Sequence, residues 1–461
     1  MMINSCLEHS SKSSSIRHTV RVGILSLGCP KTLVDSETIL GKLASRHYRF
    51  APSVTDCDVA LINTCAFIQE AKEESIERIL ELIELKKEGR IKILIVMGCL
   101  VQRYVNELRK ELAEVDGFIG SGDYEHFDRL VRKALQGDKV VSVKTPGYIP
   151  GKGEKRIALT PRHYRYLKIS EGCNHRCAFC TIPSFRGKHR SRPMKDIIEE
   201  TRQLIWEGAK EIVLTGQDTT HYGRDTQGRF LLPELLRNLD QLEGIEWLRL
   251  LYTYPTCLKN DLMETLQQSN HICHYLDVPL QHISDPILKS MQRGVTKEKI
   301  IELITRSRKT IPDLAIRTTL IVGYPGETDK QFDELMDFMK VMRFERLGIF
   351  TYSQEEGTAA AKMKNQIPDR IKKERFERAM LLQQEISEKN NRLWVGKTLK
   401  TLIDERDEKD PHKWLGRSYM DAPEVDGTVW VHSPTALKIG HFYNIRIRRT
   451  EAYDLMGEIQ L

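Results

Sequence analysis

The stretch Leu167–Arg186, LKISEGCNHRCAFCTIPSFR, decides how the rest of the chain is read. It carries Cys173, Cys177 and Cys180 in a Cys-x-x-x-Cys-x-x-Cys run, just after a short apolar alternation that reads as a strand. Three thiolates this close can share one metal centre. They leave a four-iron cluster one ligand short, so that one iron stays open to an outside molecule. A structural zinc site wants four closed ligands, and Asn174, His175 and Arg176 do not supply a regular zinc pattern. His175 is the nearby candidate for a fourth ligand, but it sits inside the loop. The run predicts an open iron–sulfur cluster at the end of a β-strand.

The bulk numbers frame this reading. At 461 residues the chain has room for roughly three domains, each with its own core. With 40% hydrophobic and 29% charged residues, its composition is that of an ordinary globular protein. The longest apolar run, Ile93–Val101, is about half of the ~20 residues a membrane span needs, so no membrane association is expected. Residues 1–19 are Ser-rich, include Lys12 and Arg17, and lack an apolar segment; they read as a disordered tail rather than a signal peptide. Six of the ten cysteines fall into two metal-like sets, which suits a reducing cytoplasmic setting better than disulfides. Cys6, Cys57, Cys257 and Cys273 belong to neither set and read as ordinary thiols. The formal charge of +7 permits contact with ribosome or RNA without requiring it.

Before the central run, over residues 20–139, apolar segments alternate with helical patterns. Val20–Leu27 ends in Gly28-Cys29, Val59–Asn63 in Thr64-Cys65, and Ile91–Met97 in Gly98-Cys99; the helical pattern Gln69–Lys87 lies between the last two. Such alternation predicts a doubly wound parallel α/β domain. Cys29, Cys65 and Cys99 recur once per βα unit, each at the carboxyl end of its strand, where an open α/β sheet binds ligands. Chance placement of three small buried residues is the plain alternative. Against it stands the repeated offset, twice with a glycine that lets the backbone approach a bulky group. A second three-cysteine cluster, again with an open iron, is the expectation.

Residues 140–161, with Pro146, Pro150, Gly151, Gly153 and Pro161, read as a linker. Over 162–391, six strands near Tyr166–Ser170, Glu211–Thr215, Trp247–Leu251, Tyr275–Leu280, Ile316–Val322 and Arg346–Tyr352 alternate with helices, which suits a partial TIM-like (βα)6 barrel. Glycine turns close its second strand (Gly216-Gln217) and its fifth (Gly323); either could be an ordinary turn. A long charged helix from Asp369 to Arg392 follows. Over 392–461, five short segments predict a small antiparallel OB-like barrel.

The cysteine loop, with Phe179 before its last cysteine, resembles the signature of radical S-adenosylmethionine (SAM) enzymes. The three-part chain as a whole resembles the methylthiotransferases of that superfamily. The resemblance implies two 4Fe–4S clusters, one on Cys29, Cys65 and Cys99 and one on Cys173, Cys177 and Cys180. It also implies SAM bound near Phe179, Gly216, Gln217 and Gly323, and a terminal TRAM domain. One SAM would methylate a sulfur held at the N-terminal cluster and another would give the radical, so the hard chemistry belongs to the cofactors. No side chain is assigned as acid, base or nucleophile. An electron donor such as flavodoxin or ferredoxin and a sulfur source are further implied partners.

Two branches of that family differ in substrate: an adenosine beside the tRNA anticodon, or an aspartate of the small-subunit ribosomal protein S-twelve. The wording Ser26-Leu27-Gly28-Cys29-Pro30-Lys31, Tyr352-Ser353-Gln354-Glu355-Glu356-Gly357-Thr358 and Asp421-Ala422-Pro423-Glu424-Val425-Asp426-Gly427 resembles the ribosomal-protein branch; Thr32 departs from it slightly. From Arg392 to Leu461 there are 11 Lys/Arg and 11 Asp/Glu. A neutral barrel suits a basic protein better than a phosphate backbone. A non-catalytic electron carrier would need no barrel with SAM turns, and a ribosome assembly factor would leave six cysteines idle. SAM consumption under reducing conditions separates both from the enzyme.

Overall fold

The computed structural model describes residues 19–44, 48–151 and 153–460; apart from Thr19, the expected tail lies outside them, as does Cys6. The first sheet contains β1 (Arg21–Ser26), β2 (Arg49–Phe50), β3 (Cys57–Thr64), β4 (Ile91–Gly98), β5 (Gly117–Gly120) and β6 (Val140–Ser142). All its pairings are parallel, in the order β2-β1-β3-β4-β5-β6. On β3, Val59 and Leu61 face one core with Ile39 and Leu43 of α1 (Pro30–Ala44). Ala60 and Ile62 face another, with Ile79, Leu82 and Ile83 of α2 (Gln69–Lys87) and Leu100 and Leu108 of α3 (Cys99–Glu111). Period-2 alternation therefore buries both faces, as a doubly wound sheet requires. The strand β6 occupies the first three residues of the stretch read as linker. A three-residue strand leaves no periodicity to read.

The central region has β7 (Tyr164–Lys168), then a two-residue ribbon of β8 (Ser170–Glu171) and β9 (Arg190–Ser191) that brackets the cysteine loop. There follow β10 (Glu211–Thr215), β11 (Trp247–Leu250), β12 (Tyr275–Asp277), β13 (Ala315–Val322) and β14 (Arg346–Thr351). The ladders β7-β10-β11 and β12-β13-β14 are parallel. A single bridge, Leu248 to Ile272, and the Thr253 N–H donating to the Asp277 carbonyl at 3.0 Å join them. Six strands thus form an open, partial barrel.

The C-terminal strands β15 (Thr398–Arg406), β16 (Lys413–Arg417), β17 (Val429–His432), β18 (Phe442–Thr450) and β19 (Leu455–Ile459) close in the order β15-β16-β17-β19-β18. Four pairings are antiparallel, but β17 and β19 run parallel, a correction to the wholly antiparallel expectation. Pairing between non-consecutive strands leaves no local sequence signal. The loop Ser418–Asp426 of this small barrel fills the amino-terminal end of the large one. The Tyr164 hydroxyl donates to Glu424 at 2.7 Å, Tyr275 to Asp426 at 2.6 Å, and the Arg346 Nε–H to Asp421 at 2.8 Å. Tyr164, Tyr275 and Arg346 are each the first residue of their strand. Among the described residues no helix is long and apolar enough to cross a membrane.

Candidate active site between two cysteine triads

Register explains how Cys29, Cys65 and Cys99 meet. Ser26 lies opposite Asn63, and Thr64 opposite Gly98, so the three strands end in step and the cysteines just beyond them gather at one rim. Gly28 (φ +90°) has no room for a side chain: a Cβ would sit 2.9 Å from Cys65 Cβ and 3.2 Å from its Sγ. Gly98 (φ +103°) is likewise closed off by the backbone of Thr64. Both positions need the left-handed conformation that glycine alone adopts cheaply.

The second triad is pinned by backbone bonds. Cys173 N–H donates to the Gly187 carbonyl at 3.0 Å, Cys180 N–H to Cys177 at 3.0 Å, and Ala178 N–H to Met291 at 2.9 Å. Phe179 is partly buried in an apolar cluster with Ile287, Met291, Tyr324 and Tyr352. His175, the alternative ligand, is engaged elsewhere: its Nε2 lies 2.6 Å from Asp218 and its ring stacks on Tyr254 at 3.5 Å. The Gln217 Oε1 accepts from Gly172 N–H at 2.8 Å while its amide donates to Glu171, so it ties the second turn to the cysteine loop. Gly323 (φ +72°) lies against Lys372 of the helix Asp369–Arg392.

Between the triads runs a buried charge network that the sequence did not announce. Lys168 pairs with Asp35 and, at 2.7 Å, with Glu171. Arg186 pairs with the same two carboxylates at 2.8 and 3.3 Å, and its Nε–H donates to Cys99 Sγ at 3.2 Å. Two cations and two carboxylates balance, as burial demands. On the other side the Arg293 Nη1–H donates to Cys177 Sγ at 3.4 Å. Each triad therefore has one arginine N–H aimed at a thiol sulfur.

Electrostatics differ within the triads. Burial pushes the Cys99, Cys173 and Cys180 thiols up to about 12. Burial also opposes ionisation of Cys29, but Lys31 and Arg186 outweigh it, and this thiol titrates below its ordinary value. Nearby, Asp218 bonds to both His175 and His221. Against the cost of burial this bond holds the His221 imidazolium up to about 9.

The residues fit the cofactors the sequence implies. Each site offers three sulfur donors, and among the described residues none of the six cysteines is in a disulfide. Buried Ser170 Oγ of β8 and Thr215 Oγ1 at the end of β10 have no hydrogen-bond partner, and a Cβ on Gly216 would stand 2.6 Å from Ser170 Oγ. An orphaned, side-chain-free cradle is what a polar ligand needs.

The comparisons agree with this geometry. Residues 167–339 match the radical SAM superfamily, 21–120 the uncharacterized protein family UPF0004, and 395–459 the TRAM domain. The fold resembles the radical SAM methyltransferase TsrM from Kitasatospora setae, solved with cobalamin and a [4Fe-4S] cluster (TM-score 0.53, 12% identity, 72% of each chain). The fold and the cysteine loop define a radical SAM enzyme, with 4Fe–4S clusters and SAM as its cofactors. The relative from Desulforamulus reducens named ribosomal protein uS12 methylthiotransferase RimO is 46% identical over 439 residues, 95% of this chain and 99% of the relative. RimO of Geobacter sulfurreducens is 43% identical over 95% of this chain and 98% of the relative. The chain belongs to the RimO family of radical SAM methylthiotransferases.

Proposed function

We propose that this enzyme adds a methylthio group to the β-carbon of an aspartate in ribosomal protein uS12. In this reading Cys29, Cys65 and Cys99 hold one 4Fe–4S cluster, and Cys173, Cys177 and Cys180 hold the other. SAM rests at Phe179, Gly216, Gln217 and Gly323. The observation that carries the two-cluster site is the single buried network, Asp35, Lys168, Glu171 and Arg186, by which Arg186 on Cys99 and Gln217 on Glu171 tie both triads into one site. When bound, the clusters and SAM supply reductive cleavage of SAM, methyl donation and sulfur.

The chain's own residues do the rest. Arg186 and Arg293 direct N–H groups at Cys99 and Cys177, which stabilises negative charge on those sulfurs and raises the reduction potential of a cluster they ligate. Glu355, from the loop after β14, accepts from Lys72 at 2.9 Å and from Arg103 at 2.7 Å. Arg103 also donates to the Ala66 carbonyl beside Cys65. That loop therefore latches the barrel to the first domain beside the N-terminal triad.

The substrate assignment rests on the full-length relatives and the motif wording, and the charge of the small barrel adds less than its composition suggests. Asp421 and Asp426 point into the large barrel, Glu424 accepts from Tyr164 and Asp404 pairs with Arg417, so overall neutrality does not describe the outer face. The setting is cytoplasmic, with a flavodoxin- or ferredoxin-like electron donor and a separate sulfur source. Mass spectrometry of uS12 from cells with and without the gene tests the assignment. A methylthio group on an aspartate only in cells with the gene supports it; an unchanged uS12 with a methylthiolated tRNA adenosine lost in its absence refutes the substrate.

A further inference from the structure

One buried cation acts on the Cys29 thiol but has no carboxylate partner. Lys31, two residues beyond Cys29, is 9% exposed, and its Nζ lies 3.2 Å above the centre of the Tyr252 ring. Among the described residues no carboxylate lies within ion-pair distance of it, whereas Lys168 and Arg186 each touch two. A cation–π contact returns only a fraction of what burying an ammonium costs.

The platform beneath it is itself forced. Tyr252 has φ +58°, a region bulky residues avoid. Its N–H donates to Asp277 at 2.9 Å, and its carbonyl accepts from the Thr219 N–H at 3.0 Å and the Thr219 hydroxyl at 3.1 Å. Backbone strain fixed so firmly from both sides is retained where a side chain must be presented. Tyr252 follows β11, at the carboxyl end of the barrel where such folds place their chemistry. Lys31 comes from the first domain, so the pair spans the boundary between that domain and the barrel.

We propose that Lys31, seated on Tyr252, is the counter-charge for the carboxylate of the acceptor aspartate, and thereby sets the preference of this site for an acidic side chain. The proposal rests on the uS12 reading above. An aspartate carries its carboxylate one bond from the carbon that takes the methylthio group, so an anchor on the carboxylate places that carbon. An adenine ring offers no anion there, and Lys31 would then face no carboxylate.

The test uses the full-length, cluster-loaded enzyme without reductant, so that binding is read without turnover. The probes are purified uS12 and its variant with the acceptor aspartate changed to asparagine. Lys31→Met should bind native uS12 roughly ten-fold or more weakly than wild type does, and the asparagine form no more weakly. Lys31→Arg should recover most of the loss. SAM affinity and the potential of the cluster on Cys173, Cys177 and Cys180 should not move. Equal losses for both forms of uS12, no loss, or a loss that follows weakened SAM binding would overturn the role of Lys31. Reduced wild-type enzyme that leaves uS12 unmodified would instead refute the function reading itself.

Discussion

Replacing Arg186 by methionine removes one cation from a network of four charged side chains, each no more than 7% exposed. Asp35 and Glu171 then share only Lys168. Breaking a buried ion pair from one side costs about 3–5 kcal/mol. Because Lys168 still answers one carboxylate, the lower end, ~3 kcal/mol, is the expectation. Spread over a folding unit of some 150–250 residues, this corresponds to an unfolding temperature lower by roughly 6–12 °C. The cluster-free protein, followed by calorimetry, reports it directly. The same change deletes the Nε–H donated to Cys99 Sγ at 3.2 Å. A hydrogen bond of ~1 kcal/mol that favours the more negative, reduced state is equivalent to roughly 40–60 mV for a one-electron couple. The N-terminal cluster should therefore titrate lower by about that amount, while the cluster on Cys173, Cys177 and Cys180 stays near its wild-type potential. Arg186→Lys keeps the charge but not the fork of donors, and should fall between. A methionine variant with unchanged unfolding temperature and unchanged potentials would show that Arg186 neither balances the carboxylates nor acts on Cys99.

Gly28→Ala puts a methyl group 2.9 Å from Cys65 Cβ at φ +90°, so reconstituted protein should lose about half its iron while keeping the barrel cluster; iron analysis and electron paramagnetic resonance read the outcome. His221 is held up to about 9 by Asp218, above its ordinary 6.5; its stabilisation is full below that ordinary value and fades as pH rises through about 9. Thermal melts of cluster-free wild type should thus lose stability between pH 7 and 10 relative to His221→Asn, and parallel curves would contradict the pairing. Glu355→Gln leaves Lys72 and Arg103 without their shared carboxylate and should cost ~2–3 kcal/mol in urea unfolding, with faster proteolysis of the loop after β14.

The cysteine triads were legible because each obeys a local rule. One is a compact run, and the other repeats once per βα unit, with parallel register turning equal spacing into proximity. The helices Gln69–Lys87 and Asp369–Arg392 were equally plain, since long periodic stretches state their own ends. What stayed hidden joins distant residues. Lys168 and Asp35 are 133 residues apart and Arg186 and Asp35 are 151, with no period to link them. Strands β2 and β6, of two and three residues, are too short to alternate. Counting charges over the last domain treated every carboxylate as surface, whereas Asp421 and Asp426 turn inward; the family-like wording of this stretch records a packing contact inside the barrel.

That inward loop limits how the molecule can work. The Arg249 guanidinium donates to the Tyr419 carbonyl at 2.6 Å, Arg417 meets Glu211 at 2.6 Å, and Arg346 meets Asp421, all within the amino-terminal end of the large barrel. A terminal domain held by such bonds is a stopper, not a tethered hand. To swing away it would have to strand buried arginines and tyrosines without partners. The separation between its outer face and the cysteine triads is therefore constant, and a partner gripped there presents its acceptor residue at one set distance. Selection among neighbouring acidic residues on that partner then becomes a matter of span, measured by a rigid gauge.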